Sequence, residues 1–583
     1  MPFYPPSWVP KLSMEPPDSI SLDQFIFDEN YERYPLGYSK PPFTCGLSGK
    51  SYSALELRER VDFLARGLSK ELGWTPNGGT EWDKVCGVFS VNTIDSMTLA
   101  WATHRLGGIS TPANAAYSTE ELAYQLKDAG AKCLFTCLPL LRSSVDAAKI
   151  AGIPSNRIYI LELPKDFTPG MSADGFKTVN QLIAEGSKLS ALEQLQWSKG
   201  EGARRTAFLC YSSGTSGLPK GVMISHKNVI ANTLQISTME KPYRDSQIEP
   251  GNQSAHTETV LGLLPFSHIY GLVVICHCAV YRGDQIVVLP KWEFETFLSA
   301  IQRFKIQMLY LVPPMIITMC KSKQVMSKYD LSSVGAIFTG AAPLGKETAD
   351  DLQTVFPKWS VLQGYGLTET STVVCMTDRH DIWFGSSGSL LPGIEARLVT
   401  VEGNEITGYD QPGELWVKGP AVVLGYLKNE KATKETFVDG YMRTGDEAVF
   451  RKNPKSGHEH VFIVDRIKEL IKGLQVAPAE LEAHLLTHPL VHDCVVIGVQ
   501  DDAAGEIPKA FVVKAPGAAI EDSDAVIKRG IAKHVEQHKA RHKWLKGGID
   551  FIEVVPKSPS GKILRRLIRD KERERRRQQG PKL

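Results

Sequence analysis

The sequence predicts an α/β protein with a large N-terminal domain of doubly wound sheets, a small β subdomain, and a smaller α/β C-terminal domain. Short apolar runs alternate with amphipathic helical stretches along most of the 583 residues. Such alternation implies parallel sheets that are covered by helices on both faces. The chain is also too long for one ordinary hydrophobic core, so two or more domains are expected.

The first well-marked helix begins after Ser53. Ser53 and Glu56 form a capping-box pattern, and apolar residues then recur at helical spacing up to Gly73. Short apolar runs farther along predict buried strands, and an amphipathic helix is predicted over residues 294–304. The predicted strands cover residues 85–89, 157–161, 206–211, 285–289, 308–312 and 335–338.

A change of pattern at residue 394 indicates the small β subdomain, because short strand-like runs are broken there by Gly and Pro. A second α/β unit follows, so the predicted domains are 1–465 and 466–583. The β subdomain has predicted strands at 394–401 and 414–418, and the second unit has helices at 479–487 and 523–538 and strands at 494–499, 509–514 and 549–555.

Composition excludes several classes of function. The 67 Lys and Arg residues nearly balance the 65 Asp and Glu residues, so global charge favours neither nucleic acid nor an acidic membrane. Ten cysteines lack CxxC pairs, which favours buried free thiols over disulfides or a zinc site, and no second ligand pair accompanies Cys276 and Cys278. No signal peptide is expected, and the longest apolar stretches are too short or too proline-rich to span a bilayer.

The C-terminus predicts a location. A charged run over 565–577 precedes Pro581, Lys582 and Leu583, a tripeptide that resembles the peroxisomal address Ser-Lys-Leu with Pro in place of Ser. The prediction is a peroxisomal protein, otherwise a cytoplasmic one, with the peroxisomal import receptor as a partner. The alternative is a frayed tail.

A phosphate-binding loop is the most specific local signal, and it reads YSSGTSGLPKG over residues 211–221. It follows a predicted strand and leads to a helical segment near His226. Small residues let backbone amides approach phosphate oxygens, hydroxyls donate further hydrogen bonds, and Lys220 supplies a positive charge. The loop lacks the Gly-Lys-Ser/Thr ending of a Walker A loop, and no GxGxxG motif follows any strand.

With this loop the sequence resembles the adenylate-forming superfamily of acyl- and aryl-CoA synthetases, adenylation domains and beetle luciferases. Within it the chain is most similar to 4-coumarate–CoA ligases and their fungal-type relatives. The resemblance covers roughly residues 50 to 570. Its other motifs are PFSHIYG at 265–271, TGAAP at 339–343, GYGLTET at 364–370, YMRTGD at 441–446, DRIK at 465–468 and PSGK at 559–562.

The resemblance implies a role for each motif. Lys562 would stabilise charge at the phosphorus during adenylation, Thr368 would bind the α-phosphate, and Glu369 would hold Mg²⁺. Tyr365 would stack on adenine, Asp446 would accept hydrogen bonds from the ribose hydroxyls, and Lys468 would be the hinge of a mobile C-terminal domain. The predicted ATP/AMP-binding residues are Ser212, Ser213, Gly214, Thr215, Ser216, Gly217, Lys220, Gly340, Ala341, Ala342, Gly364, Tyr365, Gly366, Thr368, Asp446, Arg466 and Lys562.

The acid pocket and the entry of the thiol are also implied by the resemblance, with His268 near the carboxylate. A satisfied core histidine is the competing interpretation of His268. Acetate-specific relatives carry tryptophan at the place of Gly366, so glycine is expected to leave room for an aryl, arylpropenoyl or medium-chain acid. The predicted pocket residues are His268, Tyr270, Thr339, Gly340, Gly366, Leu367, Lys472 and Gly473.

One segment departs from the family. The run 469–476 is two residues shorter than the usual stretch, which keeps the strand alternation but is expected to shorten the reach towards the CoA channel. Adenylation should be unaffected by this change.

The predicted function is an ATP-dependent acid–CoA ligase that forms an acyl-AMP, with ATP, Mg²⁺ and coenzyme A as cofactor and co-substrates. The alternatives are an adenylating enzyme that passes the acyl group to a carrier-protein thiol, a luciferase-like oxygenase, and a nucleotide-binding module without turnover. Retention of Lys220, Glu369, Asp446 and Lys562 together argues against the last.

Overall fold

The structure is a computed structural model, and it describes residues 2–212, 219–248, 256–471, 476–501, 505–515, 523–558 and 561–578. The strands of these residues, numbered in chain order, are β1 (Phe43–Cys45), β2 (Ser51–Tyr52), β3 (Val85–Phe89), β4 (Ile109–Ala113), β5 (Cys133–Thr136), β6 (Ile158–Ile160), β7 (Thr206–Ser212), β8 (Lys220–Ser225), β9 (Thr259–Gly262), β10 (Gln285–Val288), β11 (Met308–Leu311), β12 (Ala336–Thr339), β13 (Ser360–Leu367), β14 (Thr372–Met376), β15 (Ser389–Leu390), β16 (Glu395–Val399), β17 (Glu405–Ile406), β18 (Gly413–Lys418), β19 (Gly425–Tyr426), β20 (Phe437–Val438), β21 (Tyr441–Lys452), β22 (Glu459–Arg466), β23 (Val491–Asp501), β24 (Gly505–Lys514) and β25 (Ile549–Phe551).

The α-helices of the described residues are numbered in the same way. They are α1 (Leu22–Phe27), α2 (Ala54–Leu72), α3 (Ser96–Arg105), α4 (Thr119–Ala129), α5 (Leu141–Ala151), α6 (Val179–Gly186), α7 (Glu201–Arg204), α8 (His226–Ser246), α9 (Cys278–Tyr281), α10 (Phe294–Phe304), α11 (Pro313–Lys321), α12 (Lys323–Met326), α13 (Lys346–Val355), α14 (Glu430–Thr436), α15 (Pro478–Leu485), α16 (Asp524–His538) and α17 (Arg565–Gln578). A π-helix, Tyr270–His277, leads directly into α9.

Two large sheets form the framework of the N-terminal domain. One has the order β19-β8-β7-β4-β3-β5-β6 and the other the order β15-β14-β13-β12-β11-β9-β10-β1-β2. The centre of each sheet is parallel, but hairpins β7–β8 and β13–β14 extend each sheet with antiparallel strands. Both hairpins carry predicted site residues, so the antiparallel extensions position the site.

One hydrophobic core joins the two sheets. It contains Phe208 of β7 and Val260 of β9, together with Trp101 of α3, Ile230 of α8 and Val274 of the π-helix, all at most 2% exposed. The helices α3 and α8 and the π-helix therefore share one core with both sheets. Helices that are enclosed by other elements in this way are apolar on several faces. The predicted α/β class with doubly wound sheets is confirmed.

The smaller units also follow the prediction. A six-stranded antiparallel sheet contains β16 to β18 and β20 to β22, and it forms the β subdomain. In the small domain, the β23–β24 hairpin and β25 pack with α15 and α16 around Leu481, Val496 and Ile531. β22 ends at Arg466, so the predicted boundary between 465 and 466 falls at the end of that strand.

The small domain contacts the large one at several points. Nζ of Lys321, the last residue of α11, donates to the carbonyl oxygens of Val491 and His492 at 3.0 and 3.2 Å. A Cβ at Gly345 would lie 2.9 Å from Cβ of Ala483, so α15 approaches this turn of the large domain closely. These contacts set one particular orientation of the small domain.

The cysteine and membrane predictions can be compared with the structure directly. All ten cysteines are free thiols, and nine of them are buried. In the part of the chain that the structure describes, every helix is too short or too polar to cross a membrane.

Candidate active site

The motif residues of the large domain meet at the carboxyl ends of β12 and β13. Thr339 is the last residue of β12, and β13 runs through Gly364 and Tyr365 to Leu367. A short 3₁₀ helix then begins at Thr368. Because β12 and β13 are parallel neighbours, their carboxyl ends lie at the same edge of the sheet, where open α/β sheets bind ligands.

The loop after β12 passes very close to β13. A Cβ at Gly340 would lie 3.2 Å from the carbonyl oxygen of Gly364 and 3.7 Å from Cε1 of Tyr270. Ala341, which is exposed, has a φ of 66°, and half-buried Ala342 follows it. The left-handed conformation of a non-glycine residue costs on the order of 1 kcal/mol and is concentrated at ligand sites.

Two buried hydroxyls in or beside the motifs have no hydrogen-bond partner among the described residues. Thr339 is 1% exposed and Ser371 is fully buried, yet neither side-chain oxygen has a hydrogen-bond partner among the described residues. The backbone at Ser371 and Thr372 is left-handed, with φ of 51° and 118°. An unpaired buried polar group costs about 1–3 kcal/mol, so these two hydroxyls are energetically unfavourable features of the motif region.

Glu369 is surrounded by groups that suit a magnesium nucleotide. Its Oε1 accepts hydrogen bonds from Oγ of Ser212 at 3.3 Å and from the hydroxyl of Tyr426 at 3.0 Å. Nζ of Lys220 lies 4.9 Å from the centre of the Tyr426 ring. A carboxylate beside hydroxyl oxygens fits Mg²⁺, which prefers hard oxygen ligands and substrate phosphates.

Asp446 is the most buried carboxylate of the site, with 4% exposure. Oδ2 accepts a hydrogen bond of 2.6 Å from the hydroxyl of Tyr365, and Oδ1 lies 3.5 Å from Nε of Arg466. Burial raises the pKa of Asp446, while Arg466 and the Tyr365 hydroxyl act in the opposite direction. Tyr365 therefore holds the carboxylate in place, and its predicted stacking on adenine stays a prediction.

Lys562 reaches this cluster from the small domain. Burial lowers the pKa of its ammonium to about 8, and the charge of Arg466 acts in the same direction. The carboxylates of Asp446 and Glu369 in the large domain oppose this shift. The structure thus brings the predicted catalytic lysine into the electrostatic field of both predicted nucleotide carboxylates.

The loop that carries Lys562 is held by its own turn and by the large domain. The Ser558 amide donates to the Lys562 carbonyl at 2.8 Å, and Lys557 pairs with Ile563 as an antiparallel bridge. Gly561 has a φ of 81°, and a Cβ there would lie 3.1 Å from Cγ2 of Val312. Glycine is required here both by the backbone conformation and by the close approach to the large domain.

His268 lies within the electrostatic influence of Lys562. It is half-buried, and burial together with the charge of Lys562 lowers its pKa to about 4. Its imidazole is therefore neutral at pH 7, and Nδ1 accepts a hydrogen bond from the amide of Tyr270 at 3.3 Å. The electrostatic link to Lys562 favours the predicted position at the site over a satisfied core histidine.

Three buried aromatic rings pack together next to the motif that carries His268. The hydroxyl of Tyr270 donates to the carbonyl oxygen of Phe338 at 2.8 Å. The rings of Tyr270, Tyr310 and Phe338 pack edge-to-face, with centroids 6.1–6.3 Å apart. A Cβ at Gly340 would lie 3.7 Å from Cε1 of Tyr270, so this buried aromatic cluster packs beside the loop that follows β12.

Lys468 lies where a hinge is expected. It is exposed in a turn that begins directly after Arg466, the last residue of β22. Glu469, which follows, forms ion pairs with Arg565 and Arg569 of α17 at 3.8 and 2.9 Å. Arg466 is thus the last residue that pairs with a strand of the large domain, and Glu469, three residues later, already forms ion pairs with a helix of the small domain.

Several predicted residues lie outside the described residues. Ile471 and Val476 on either side of the shortened hairpin pair as an antiparallel bridge, so its ends are close together. The predicted site residues outside the described part are Ser213, Gly214, Thr215, Ser216, Gly217, Lys472 and Gly473.

The helical segment predicted near His226 is confirmed as α8, and the strand β8, which begins at Lys220 and pairs antiparallel with β7, lies between the loop and this helix. One detail differs from the expectations. The expectation that Gly366 leaves side-chain volume open is wrong, since a Cβ there would lie 1.4 Å from the carbonyl oxygen of Thr372. Glycine is needed at this position because β13 and β14 approach each other too closely for a side chain.

Sequence analysis missed Tyr426, Ser371 and Thr372. Tyr426 is brought to Glu369 by β19, a two-residue strand that pairs with β8. The only available signal was an aromatic residue after Gly425, which is too common to single out. Ser371 and Thr372 adjoin the GYGLTET motif, and nothing in their residue types indicates a left-handed backbone.

Together, the fold and the site define a two-domain adenylate-forming enzyme. The chain belongs to the AMP-binding enzyme family: the model of the AMP-binding enzyme matches residues 29–427, and that of the AMP-binding enzyme C-terminal domain matches 480–562. The family predicted from the motifs is thereby confirmed.

Individual proteins agree with this membership. The chain is 41% identical over 573 residues to the acyl-CoA ligase easD of Emericella nidulans, which covers 98% of this chain and 100% of that protein. The anthranilate CoA ligase AuaEII in complex with anthranoyl-AMP superposes with a TM-score of 0.78 at 21% identity, covering 95% of this chain and 98% of that one. ATP-bound MatB from Rhodopseudomonas palustris superposes with a TM-score of 0.74 at 25% identity, covering 94% of this chain and 98% of that one. The predicted activity, an AMP-forming acid–thiol ligase, is confirmed at this level.

Proposed function

We propose that this chain is an ATP-dependent acid–CoA ligase that forms an acyl-AMP, and that its acid is an aryl, arylpropenoyl or medium-chain carboxylic acid. The observation that carries the proposal is the position of Lys562 in the field of Asp446 and Glu369. The relatives that match nearly the whole chain are acyl-CoA ligases, which supports CoA as the acceptor.

The first half-reaction brings two anions together. A carboxylate oxygen of the acid attacks the α-phosphorus of ATP, the bond to the leaving pyrophosphate breaks, and the acyl-AMP forms. Lys562 and Lys220 supply positive charge from two domains, and such preorganised charge lowers the barrier by stabilising the transition state. Thr368 donates to the α-phosphate, and Asp446 accepts from the ribose hydroxyls.

Magnesium fits beside Glu369, where Ser212 and Tyr426 add hydroxyl groups. When bound, the ion neutralises phosphate charge. The residues themselves orient the carboxylate: the Tyr426 hydroxyl and Ser212 fix Oε1 of Glu369 towards the phosphate loop.

The second half-reaction follows rotation at Lys468. The thiol of CoA attacks the acyl carbon, AMP leaves, and the thioester forms. Rotation removes Lys562 from the site, so the thiol need not compete with contacts that serve adenylation. The short hairpin over 469–476 is proposed to limit the rate of this step only.

The acid class is supported by the aromatic cluster of Tyr270, Tyr310 and Phe338 beside the motif of His268. Small-molecule sites are lined mainly by hydrophobic and aromatic side chains, which suits an aromatic or extended acyl chain. The similarity of the motifs to 4-coumarate–CoA ligases supports the aryl and arylpropenoyl classes.

A direct test measures pyrophosphate release from the purified full chain with ATP, Mg²⁺ and a panel of aromatic and aliphatic acids, with and without CoA. We expect acid-dependent release, slow without CoA and sustained with it, and an acyl-CoA product. Transfer to a carrier-protein thiol instead of CoA, or oxygen consumption without any thiol, would support the two alternatives. Release that does not depend on any acid contradicts the proposal.

Peroxisomal location is part of the proposal and rests on Pro581, Lys582 and Leu583, which lie outside the described residues. Removal of these three residues from a chain with an N-terminal fluorescent tag is expected to make it cytosolic, with adenylation unchanged. If the shortened chain is found in the same location as the parent chain, the prediction that this tripeptide is a peroxisomal address is contradicted.

A further inference from the structure

Two arginines of α17 converge on one carboxylate beside the predicted hinge. Oε2 of Glu469 lies 2.9 Å from Nη2 of Arg569 and 3.8 Å from Nη1 of Arg565, and the two arginines stand one turn apart on the helix. The side chain of Glu469 is 10% exposed, and those of Arg565 and Arg569 are 12% and 25% exposed. Ion pairs that are partly withdrawn from water are screened less than surface pairs, so this contact restrains α17.

The backbone of Glu469 is fixed to the end of β22. Its amide donates to the carbonyl oxygen of Arg466 at 2.8 Å, and the amide of Leu470 donates to the same oxygen at 3.1 Å. Arg466 is the last residue of β22, and it lies opposite Asp446 of β21 in the sheet. Glu469 therefore links α17 to the pair of strands that carries Asp446.

Lys562 lies in a closed loop that runs directly into α17. The amide of Leu564 donates to the carbonyl oxygen of Pro556 at 2.8 Å, which joins the two ends of the loop. The helix begins at Arg565, directly after Leu564. A shift of α17 therefore shifts Lys562 as well.

A second carboxylate holds Arg565 within the small domain. Glu482 of α15 forms an ion pair with Arg565 and accepts a hydrogen bond of 2.8 Å from the amide of Val496. Glu482 is 6% exposed, so this pair belongs to the interior of the small domain. Arg565 keeps this buried partner when Glu469 is changed, and the small domain is therefore expected to remain folded.

We propose that Glu469 is a positioning residue for adenylation, which fixes α17, and with it Lys562, against the end of β22. This inference rests on the proposed function of Lys562. Catalysis by a charged group depends on its exact placement, and a small displacement lowers the rate steeply. Glu469 also acts on Lys562 electrostatically, because burial lowers the pKa of the Lys562 ammonium and the charge of Glu469 opposes that shift.

The contact with β22 serves only the arrangement for adenylation. Rotation at Lys468 would leave Glu469 paired with α17 but would separate both from Arg466. Lys562 is not needed at the nucleotide after this rotation. A change at Glu469 is therefore expected to lower adenylation and to leave the thioester step intact.

The test is a double-variant cycle on the full chain. Single-turnover rates of adenylation, and of thioester formation from prepared acyl-AMP, are measured for the parent, Glu469→Gln, Lys562→Ala and the double variant. We expect Glu469→Gln to lower the maximal rate of adenylation about tenfold and to leave the ATP concentration for half-maximal rate nearly unchanged. In the Lys562→Ala background the same change should cause no further loss, because a residue that acts through Lys562 then has nothing to position.

A second variant and a control accompany the cycle. Arg569→Gln removes the partner of the 2.9 Å contact and should reproduce the effect of Glu469→Gln. Asp570→Asn is the matched control, because this exposed carboxylate of α17 lies 4.0 Å from Arg573 of the same helix, and both half-reactions should be unchanged. Intact thioester formation shows that each variant is folded.

Three results would overturn the proposal. These are unchanged adenylation in both Glu469→Gln and Arg569→Gln, an equal loss in the two half-reactions, and a further loss of about tenfold when Glu469→Gln is added to Lys562→Ala. A parent chain without acid-dependent pyrophosphate release would instead contradict the proposed function itself.

Discussion

Nε of Arg466 lies 3.5 Å from Oδ1 of Asp446, so the last residue of β22 contacts the buried carboxylate of β21. Immediately afterwards the chain turns at exposed Lys468 and enters the small domain. The carboxylate proposed to bind the ribose and the segment proposed to rotate thus share one ion pair. We therefore expect nucleotide binding and the position of the small domain to be coupled through this contact.

Tyr365→Phe should weaken the use of ATP. The change removes the 2.6 Å hydrogen bond to Oδ2 of Asp446 and leaves a buried carboxylate with one partner fewer. A hydrogen bond to a charged group is worth about 1.5–3 kcal/mol, so kcat/KM for ATP should fall about 10- to 100-fold. The control is Tyr409→Phe, which removes an exposed hydroxyl bonded to Glu459. Equal effects of the two changes would contradict the role of Tyr365.

Glu369→Gln should raise the Mg²⁺ concentration needed for half-maximal pyrophosphate release. The amide keeps the size of the side chain but loses the negative charge that favours a hard cation. Titration of adenylation with Mg²⁺ measures the shift, and Glu430→Gln, at an exposed position of α14, serves as the control. An unchanged Mg²⁺ requirement would show that Glu369 does not face the metal nucleotide.

Much of the fold could be predicted because its strongest signals are local. β3 and α10 have the predicted limits, and α2 begins after the Ser53 cap and ends at Gly73, whose φ is 72°. Apolar periodicity and capping depend on residues close in sequence, so they can be read without the tertiary structure.

The missed features depend on contacts between distant segments. β19 contains two residues, and it exists because Tyr426 and Gly425 pair with β8 roughly two hundred residues earlier. The function of Gly366 was misjudged for the same reason, since only the hairpin brings the Thr372 carbonyl to it. Motif resemblance predicted the candidate site residues, but the contact of Tyr365 with Asp446 could be seen only in the structure.

Lys321→Met should slow adenylation and spare the thioester step. Nζ of Lys321 donates to two carbonyls of the small domain, so its loss destabilises the orientation in which Lys562 reaches the nucleotide. We expect about a tenfold lower rate of adenylation, the equivalent of one such interaction. Single-turnover measurements of each half-reaction check this, with Lys323→Met in exposed α12 as the control. A lower rate confined to the thioester step would contradict the claim that these contacts stabilise the orientation for adenylation.

Lys562→Met should stabilise the folded protein at pH 7. The pKa of Lys562 in the folded state, about 8, lies below its ordinary value of 10.5, so the unfolded chain binds the proton more strongly. The buried ammonium therefore destabilises the folded state relative to the unfolded chain. This destabilisation is fully present below pH 8 and disappears as pH rises towards 10.5. The Tm difference between variant and parent should therefore shrink from pH 7 to pH 9.5. A constant difference would mean that the ammonium is not strained by burial.

The most direct test of the account compares both half-reactions in Lys562→Ala. We expect adenylation to fall about 10²- to 10³-fold, because a group that stabilises the transition state is lost. Thioester formation from prepared acyl-AMP should largely survive, and Lys546→Ala, at an exposed position of the same domain, should affect neither step. Equal loss in both half-reactions would contradict the claim that Lys562 acts at the nucleotide only while the domains are arranged for adenylation.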